Sequence, residues 1–233
     1  MNGSTLDHDF IRVFRVAALQ AGAVARHLQG KTRAESKGGG TPEAEALTAV
    51  DLATQDVVLQ LLHAQMPAMA VDAEEDTPTV ALFDRADAQE ALVVVDPVDG
   101  TLNYIRGSQD YAVMGALLRE GRYTAAFVHF PAYGTSYWAI RGEGCFLIDD
   151  AGQQTRCNVA DAADRIFYAP RTPKAWRSPL AGLTAEVSLC RCSAVDGSAP
   201  VTGRARASIA EGRADRRRAI ALFLSWEAGA TVL

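Results

Sequence analysis

Apolar side chains recur at helical spacing over residues 7–29, where Phe10, Val13, Phe14, Ala17, Ala18, Ala21, Val24 and Leu28 share one face. Gly30 supplies a stop. Residues 33–42 are rich in glycine and polar groups and predict a loop. A second helix is expected over about 43–65, closing before Pro67. Ala68–Val71 then reads as a short strand that delivers Ala73-Glu74-Glu75-Asp76 at its end. Residues 84–90 look helical or irregular, and the unbroken apolar run Ala91-Leu92-Val93-Val94-Val95 has the character of a buried strand.

From Tyr111 to Ile148 the pattern changes to short strands separated by turns. Ala112–Leu118, Thr124–His129, Ser136–Ile140 and Gly144–Ile148 are the strands. Gly121, Pro131-Ala132-Tyr133-Gly134 and Arg141-Gly142-Glu143-Gly144 punctuate them, predicting an antiparallel meander. Asp149-Asp150-Ala151-Gly152 is a turn, Ala185–Cys192 another strand, and 203–212 and 217–229 read as helices. Helices, then a meander, then alternating elements predict a layered α/β protein. A break near 150–180 divides it into an α+β part, 1–150, and an α/β part, 151–233.

The bulk composition narrows the function. With 233 residues, 48% of them hydrophobic, the chain can bury a substantial core. A net charge of −5 argues against a general nucleic-acid binder. No apolar run approaches the ~20 residues of a membrane span, and the N-terminus lacks a basic region followed by an apolar core. Four cysteines without metal spacing are read as structural thiols of a reducing, cytoplasmic compartment. The four histidines show no metal spacing, with His27 and His63 as surface or satisfied core groups, and Trp138, Trp176 and Trp226 are read as packing residues.

The chemistry gathers at Asp96-Pro97-Val98-Asp99-Gly100-Thr101-Leu102-Asn103-Tyr104. Two carboxylates three residues apart at the mouth of a buried strand are costly unless something positive sits between them. The glycine and threonine that follow offer a tight turn, backbone N–H groups and a hydroxyl. Hard-cation ligands beside an anion cradle point to Mg²⁺-dependent phosphate chemistry. Two further acidic sites are Thr48-Ala49-Val50-Asp51, inside the second helix, and Glu74-Glu75-Asp76.

These residues resemble the inositol monophosphatase family of Mg²⁺-dependent, lithium-sensitive phosphomonoesterases. Asp96–Tyr104 is similar to its Asp-Pro-x-Asp-Gly-Thr-x-Asn-Phe signature, with Tyr for Phe. Thr48–Asp51 resembles its Thr-x-x-Asp element, and Ala73-Glu74-Glu75 its Gly-Glu-Glu element, with Ala for Gly. Residues 134–146 are similar to the family's hairpin. The resemblance covers roughly residues 8–150 well and the remainder poorly. It implies a sugar-phosphatase-like αβαβα sandwich, a small phosphorylated substrate, two or three Mg²⁺ ions and a homodimer. Inositol monophosphate or a related polyol or sugar phosphate is the expected substrate. The alternatives are histidinol phosphate, a nucleotide 3′-phosphate, or a degenerate member that only binds phosphate ligands.

The resemblance also implies residue roles. Glu74, Asp96, Asp99 and the main-chain carbonyl of Val98 hold metal, with Asp96 bridging two ions. Asp99, Gly100 and Thr101 receive the substrate. Thr101, hydrogen-bonded to Asp51, orients the attacking water, and with Glu74 these two form the catalytic set. Glu75 is either a supporting group or a surface acid. Asp196-Gly197-Ser198-Ala199 resembles the family's small-residue substrate loop, which adds Gly197 and Ser198 to the substrate contacts.

The C-terminal part departs from the family pattern. The family places Trp-Asp-x-Ala-Ala ahead of a helix ending in Glu-Ala-Gly-Gly, and its aspartate ligates the second metal. Glu227-Ala228-Gly229 matches the helix end, but counting back puts an arginine of Arg216-Arg217-Arg218 in the aspartate's place. Either these arginines form a solvated basic turn, or one of them partly replaces the second metal and holds substrate phosphate.

Overall fold

The apolar run at 91–95 becomes the spine of the molecule. The computed structural model describes residues 3–31, 34–36, 46–83, 91–159, 165–168, 186–189, 191–209 and 215–231. In chain order they form α1 (Gly3–Leu28), β1 (Ala34–Ser36), β2 (Ala46–Thr48), α2 (Ala49–Gln65), β3 (Ala70–Asp72) and a 3₁₀ turn (Pro78–Phe83). Then come β4 (Leu92–Asp99), α3 (Thr101–Ile105), β5 (Ala112–Arg119), β6 (Arg122–Phe130), β7 (Thr135–Ile140), β8 (Gly144–Ile148) and β9 (Gln154–Cys157). The C-terminal part holds β10 (Arg165–Tyr168), β11 (Glu186–Leu189), α4 (Ser193–Ser198), β12 (Ala207–Ile209) and α5 (Arg216–Glu227).

A seven-stranded sheet runs in the order β3-β4-β5-β6-β7-β8-β9, parallel at β3/β4 and antiparallel elsewhere. Alternation along β4 feeds two cores. Val93 and Val95 meet Phe10, Phe14, Val58 and Leu59 of α1 and α2 on one face. Leu92 and Val94 meet Ile220, Phe223 and Leu224 of α5 on the other. Burial on both faces is why this strand has no polar alternation. Gly115 of β5 lets Phe14 lie flat on the sheet, because a Cβ there would stand 2.3 Å from the ring. A three-stranded parallel sheet, β11-β10-β12, adds to the second core through Phe167. The arrangement is the layered α/β fold expected from sequence.

Several elements differ from expectation. The second helix begins at Ala49, since Ala46–Thr48 pair with Ala34–Ser36 as a short hairpin of strands. β4 does not stop at Val95 but runs through Asp99, with a register irregularity between Asp96 and Asp99. The helix expected over 203–212 is instead a turn leading into β12, where pairing to β10 overrides helical spacing. Residues 210–212 and Cys190 lie outside the described residues. Trp138 packs as expected, stacked on Phe146 at 4.4 Å. Trp226 does not: it is 53% exposed, beneath the Arg141 guanidinium at 5.3 Å. Trp176 lies outside the described residues. Among the described residues, no helix is long and apolar enough to cross a membrane.

Candidate active site

The end of β4 positions the site. Asp96 follows Val95 into the sheet and is 5% exposed, while Asp51, in the first turn of α2, is 2% exposed. Gly100 then turns the chain with φ 84°, a left-handed geometry that glycine adopts without strain. A side chain there would also meet the Asp110 carbonyl at 2.9 Å and Cys192 at 3.1 Å. The turn opens α3, where Tyr104 donates its hydroxyl to the Ala25 carbonyl at 2.7 Å and Asn103 donates to the Asp110 carbonyl at 3.0 Å. These last signature residues hold the loop rather than the acids.

Glu74 and Asp96 converge. Their carboxyls lie close enough to interact directly, and Glu74 raises the cost of charge on Asp96. Burial pushes the Asp96 carboxyl well above the usual carboxylate range, and the nearby charges of Glu74 and Asp99 add to the effect. Desolvation also raises Glu74, though this residue stands at the rim and reaches solvent. Asp96 Oδ1 is buried with no hydrogen-bond partner. Such an atom costs free energy unless it meets a donor or a cation.

Thr101 joins the second pair. Its hydroxyl lies 3.0 Å from the Val98 carbonyl and 3.4 Å from Asp51 Oδ1. The Glu75 backbone exchanges hydrogen bonds with the Gln55 side chain at 2.6 and 2.8 Å, which fixes the chain beside Glu74.

Asp99 is held differently from Asp96. Its Oδ2 accepts the Ala194 N–H at 2.6 Å and the Cys192 thiol at 2.8 Å, and its Oδ1 accepts the Ser193 hydroxyl at 2.5 Å. The carboxylate therefore caps the start of α4. Sequence reasoning did not single out Ser193 or Ala194. The signal available to it was the small-residue pair that follows Cys192. The structure does not bring Gly197 and Ser198 to the acids. Gly197 faces Ala221, where a Cβ would stand 2.8 Å away, and the buried Ser198 hydroxyl donates to the Ala194 carbonyl at 2.6 Å. One helical turn separates these two from the end of α4 that touches the site.

The arginines are not a solvated turn as a group. Asp215 caps α5 by accepting the Arg217 N–H at 3.0 Å. Arg216 pairs with Asp72 at 2.9 Å. Arg217 reaches inward, donating to the Ala73 carbonyl at 2.7 Å and to Asp72 Oδ1 at 3.3 Å. Its positive charge lowers the pKa of both Glu74 and Asp96, opposing the desolvation that raises them.

Among the described residues, no three Asp, Glu, His or Cys side chains come together as a group that could hold a metal ion. An open donor set remains: the Glu74–Asp96 pair, the orphaned Asp96 oxygen and the Val98 carbonyl. All are oxygen donors, as suits a hard cation that keeps several waters. The residues fit Mg²⁺ in that sense.

The profile of the inositol monophosphatase family matches residues 7–215. This chain belongs to that family. Over 123 residues it is 32% identical to a histidinol-phosphatase of Mycobacterium tuberculosis, a stretch covering 53% of this chain and 45% of that protein. Over 147 residues it is 31% identical to inositol monophosphatase 3 of Solanum lycopersicum, covering 63% and 52%. The chain thus spans about half the length of the curated relatives it matches. Its fold superposes on the extragenic suppressor protein SuhB of Bartonella henselae with a TM-score of 0.77 at 23% identity, covering 94% of this chain and 84% of that one. The inositol monophosphatase of Thermotoga maritima gives 0.74 at 19% identity, covering 91% and 80%.

Proposed function

We propose that the chain is a Mg²⁺-dependent phosphomonoesterase acting on a small phosphorylated substrate. Inositol monophosphate or a related polyol phosphate is the first candidate. The buried Asp96 carboxyl, with its orphaned oxygen and Glu74 beside it at the rim, carries the reading. A carboxyl kept out of water beside a second one at the rim is disfavoured as a bare anion and gains by meeting a divalent ion. Glu74, Asp96 and the Val98 carbonyl would hold that ion, with Asp99 contributing from its capped position. When bound, it supplies a Lewis acid for the phosphoryl oxygens and makes water a stronger nucleophile.

The remaining steps belong to this chain's own side chains. Gly100 and Thr101 receive the phosphate at the turn where the chain leaves β4. Asp51 accepts a hydrogen bond from Thr101, and Thr101 in turn aligns the attacking water, the two acting as a general-base relay. In this reading the 1–150 and 151–233 parts meet at the site, α4 contributing through its hold on Asp99. The chain works in the cytoplasm as a homodimer.

Phosphate release over a panel of inositol, histidinol and nucleotide 3′-phosphates, with and without Mg²⁺, tests the proposal. Mg²⁺-dependent release that falls by orders of magnitude in Asp96→Asn is expected. One observation favours a second reading, a phosphate-binding member without catalysis: the Arg217 charge acts on Glu74 and Asp96, and counting back from Glu227-Ala228-Gly229 puts an arginine of 216–218 where the family pattern has its metal-ligating aspartate. Equally slow release by wild type and Asp96→Asn would select it.

A further inference from the structure

The guanidinium of Arg217 lies between the end of β3 and the middle of β4. Nη2 donates to the carbonyl of Ala73, the residue before Glu74, and Nε lies 3.4 Å from the carbonyl of Val95, the residue before Asp96. Asp72 Oδ1 holds the same Nη2 from the side. The side chain is 24% exposed, so its charge acts across a poorly solvated gap. Arginine is suited to such a position because it stays charged when desolvated and its fork satisfies several acceptors at once.

We propose that Arg217 is a resident cation that stands in for a second metal ion, so that this site takes a single divalent ion. The inference rests on the metal-binding part of the proposed function. Arg217 already offsets one of the negative charges that Asp51, Glu74, Asp96 and Asp99 bring to the site, and it stands among residues where the family pattern offers a further carboxylate to a second ion. Asp99 offers a second ion little, since both of its oxygens already accept hydrogen bonds from the start of α4. The orphaned oxygen of Asp96 marks the place the arginine does not reach. Arg217 is thus a positioning residue: it sets how many ions the acids accept and ties the end of β3 to β4.

Titration of the full-length, metal-stripped chain with Mn²⁺, followed by calorimetry and by the electron paramagnetic resonance of free Mn²⁺, reads the ion count without any substrate. Wild type is expected to bind one ion per chain. Arg217→Asp, which exchanges the cation for a carboxylate ligand, is expected to bind two. Two ions of similar affinity on wild type, none at millimolar Mn²⁺, or the same count in both proteins would overturn the proposal. Should Arg217→Asp fail to fold, Arg217→Met decides. Loss of the competing charge should tighten its single site at least tenfold, and unchanged affinity rejects the idea. Failure of the phosphatase reading looks different. One bound ion without phosphate release from any ester keeps the role of Arg217, whereas phosphate release with two bound ions removes it.

Discussion

The Thr101 hydroxyl sits 3.0 Å from the Val98 carbonyl and 3.4 Å from Asp51 Oδ1. One proton cannot serve both acceptors at full strength, so the hydroxyl has two alternative partners. In the shorter contact it braces the end of β4. In the longer one it joins a carboxylate that α2 buries at the site. Catalysis by general base needs the second arrangement. Asp51→Asn is therefore expected to lower phosphate release about 10²- to 10⁴-fold, the usual worth of such a group, with the fold intact by circular dichroism. An Asp51→Asn enzyme within threefold of wild type would remove Asp51 from the mechanism.

Asp96 carries a stability cost. Its carboxyl is protonated in the fold well above the pH at which an exposed aspartate ionises, because burial disfavours the charge. A raised folded pKa means that stability is greatest below the unfolded value, near 3.8, and is lost as pH climbs through the folded one. In EDTA at pH 7.5, Asp96→Asn should consequently melt higher than wild type. It should also gain less from Mg²⁺, since its ligand is gone. A variant that melts lower in EDTA and still responds fully to Mg²⁺ contradicts both the cost and the role.

Much of this was readable from the chain, for identifiable reasons. The meander and β4 carry strong apolar patterning and clear turn residues, so their positions follow from local chemistry. Asp96 declared itself because it follows an unbroken apolar run, whereas Asp51 and Glu74 stood out through their resemblance to the family's Thr-x-x-Asp and Gly-Glu-Glu elements. The start of α4 did not, since a six-residue helix has too few turns to show a period. That is also why the glycine and serine at 197 and 198 drew attention away from Ser193. β12 was hidden for another reason: its strand exists only through pairing with β10, a long-range contact that local sequence does not encode. The inward reach of Arg217 likewise depends on where α5 docks.

His129 gives a separate handle on pH. The ring is 5% exposed, and Nδ1 lies 3.2 Å from the Thr135 carbonyl and 3.0 Å from the Ser136 hydroxyl. Burial lowers its pKa from 6.5 to about 4. A depressed folded pKa gives stability that is full above the unfolded value and is lost as pH falls through the folded one. Between pH 6.5 and 4 the wild type should lose roughly 3 kcal/mol relative to His129→Gln. Urea titrations of both proteins at pH 7 and 4 measure this, and parallel losses would mean that His129 stays hydrated or charged in the fold.

The two thiols at the far end of the sheet should differ in reactivity. Cys145 and Cys157 are cross-strand partners on β8 and β9, and their side chains hydrogen-bond each other. Cys145 is buried, and the bond to Cys157 together with burial pushes its thiol far up. Cys157 is partly exposed and its thiol is lowered, first by that same bond, which favours the thiolate on its sulfur. Since the thiolate is the nucleophile, alkylation should begin at Cys157. Brief treatment of the native chain with iodoacetamide, read by peptide mass spectrometry, should label Cys157 well before Cys145. Equal labelling of the two, or Cys145 first, would mean that the β8–β9 edge opens faster than the thiols react. Once Cys157 is capped, its partner loses the acceptor that held the shared proton. Cys145 should then stay unmodified until urea exposes it, which makes its labelling a marker for unfolding of this edge of the sheet.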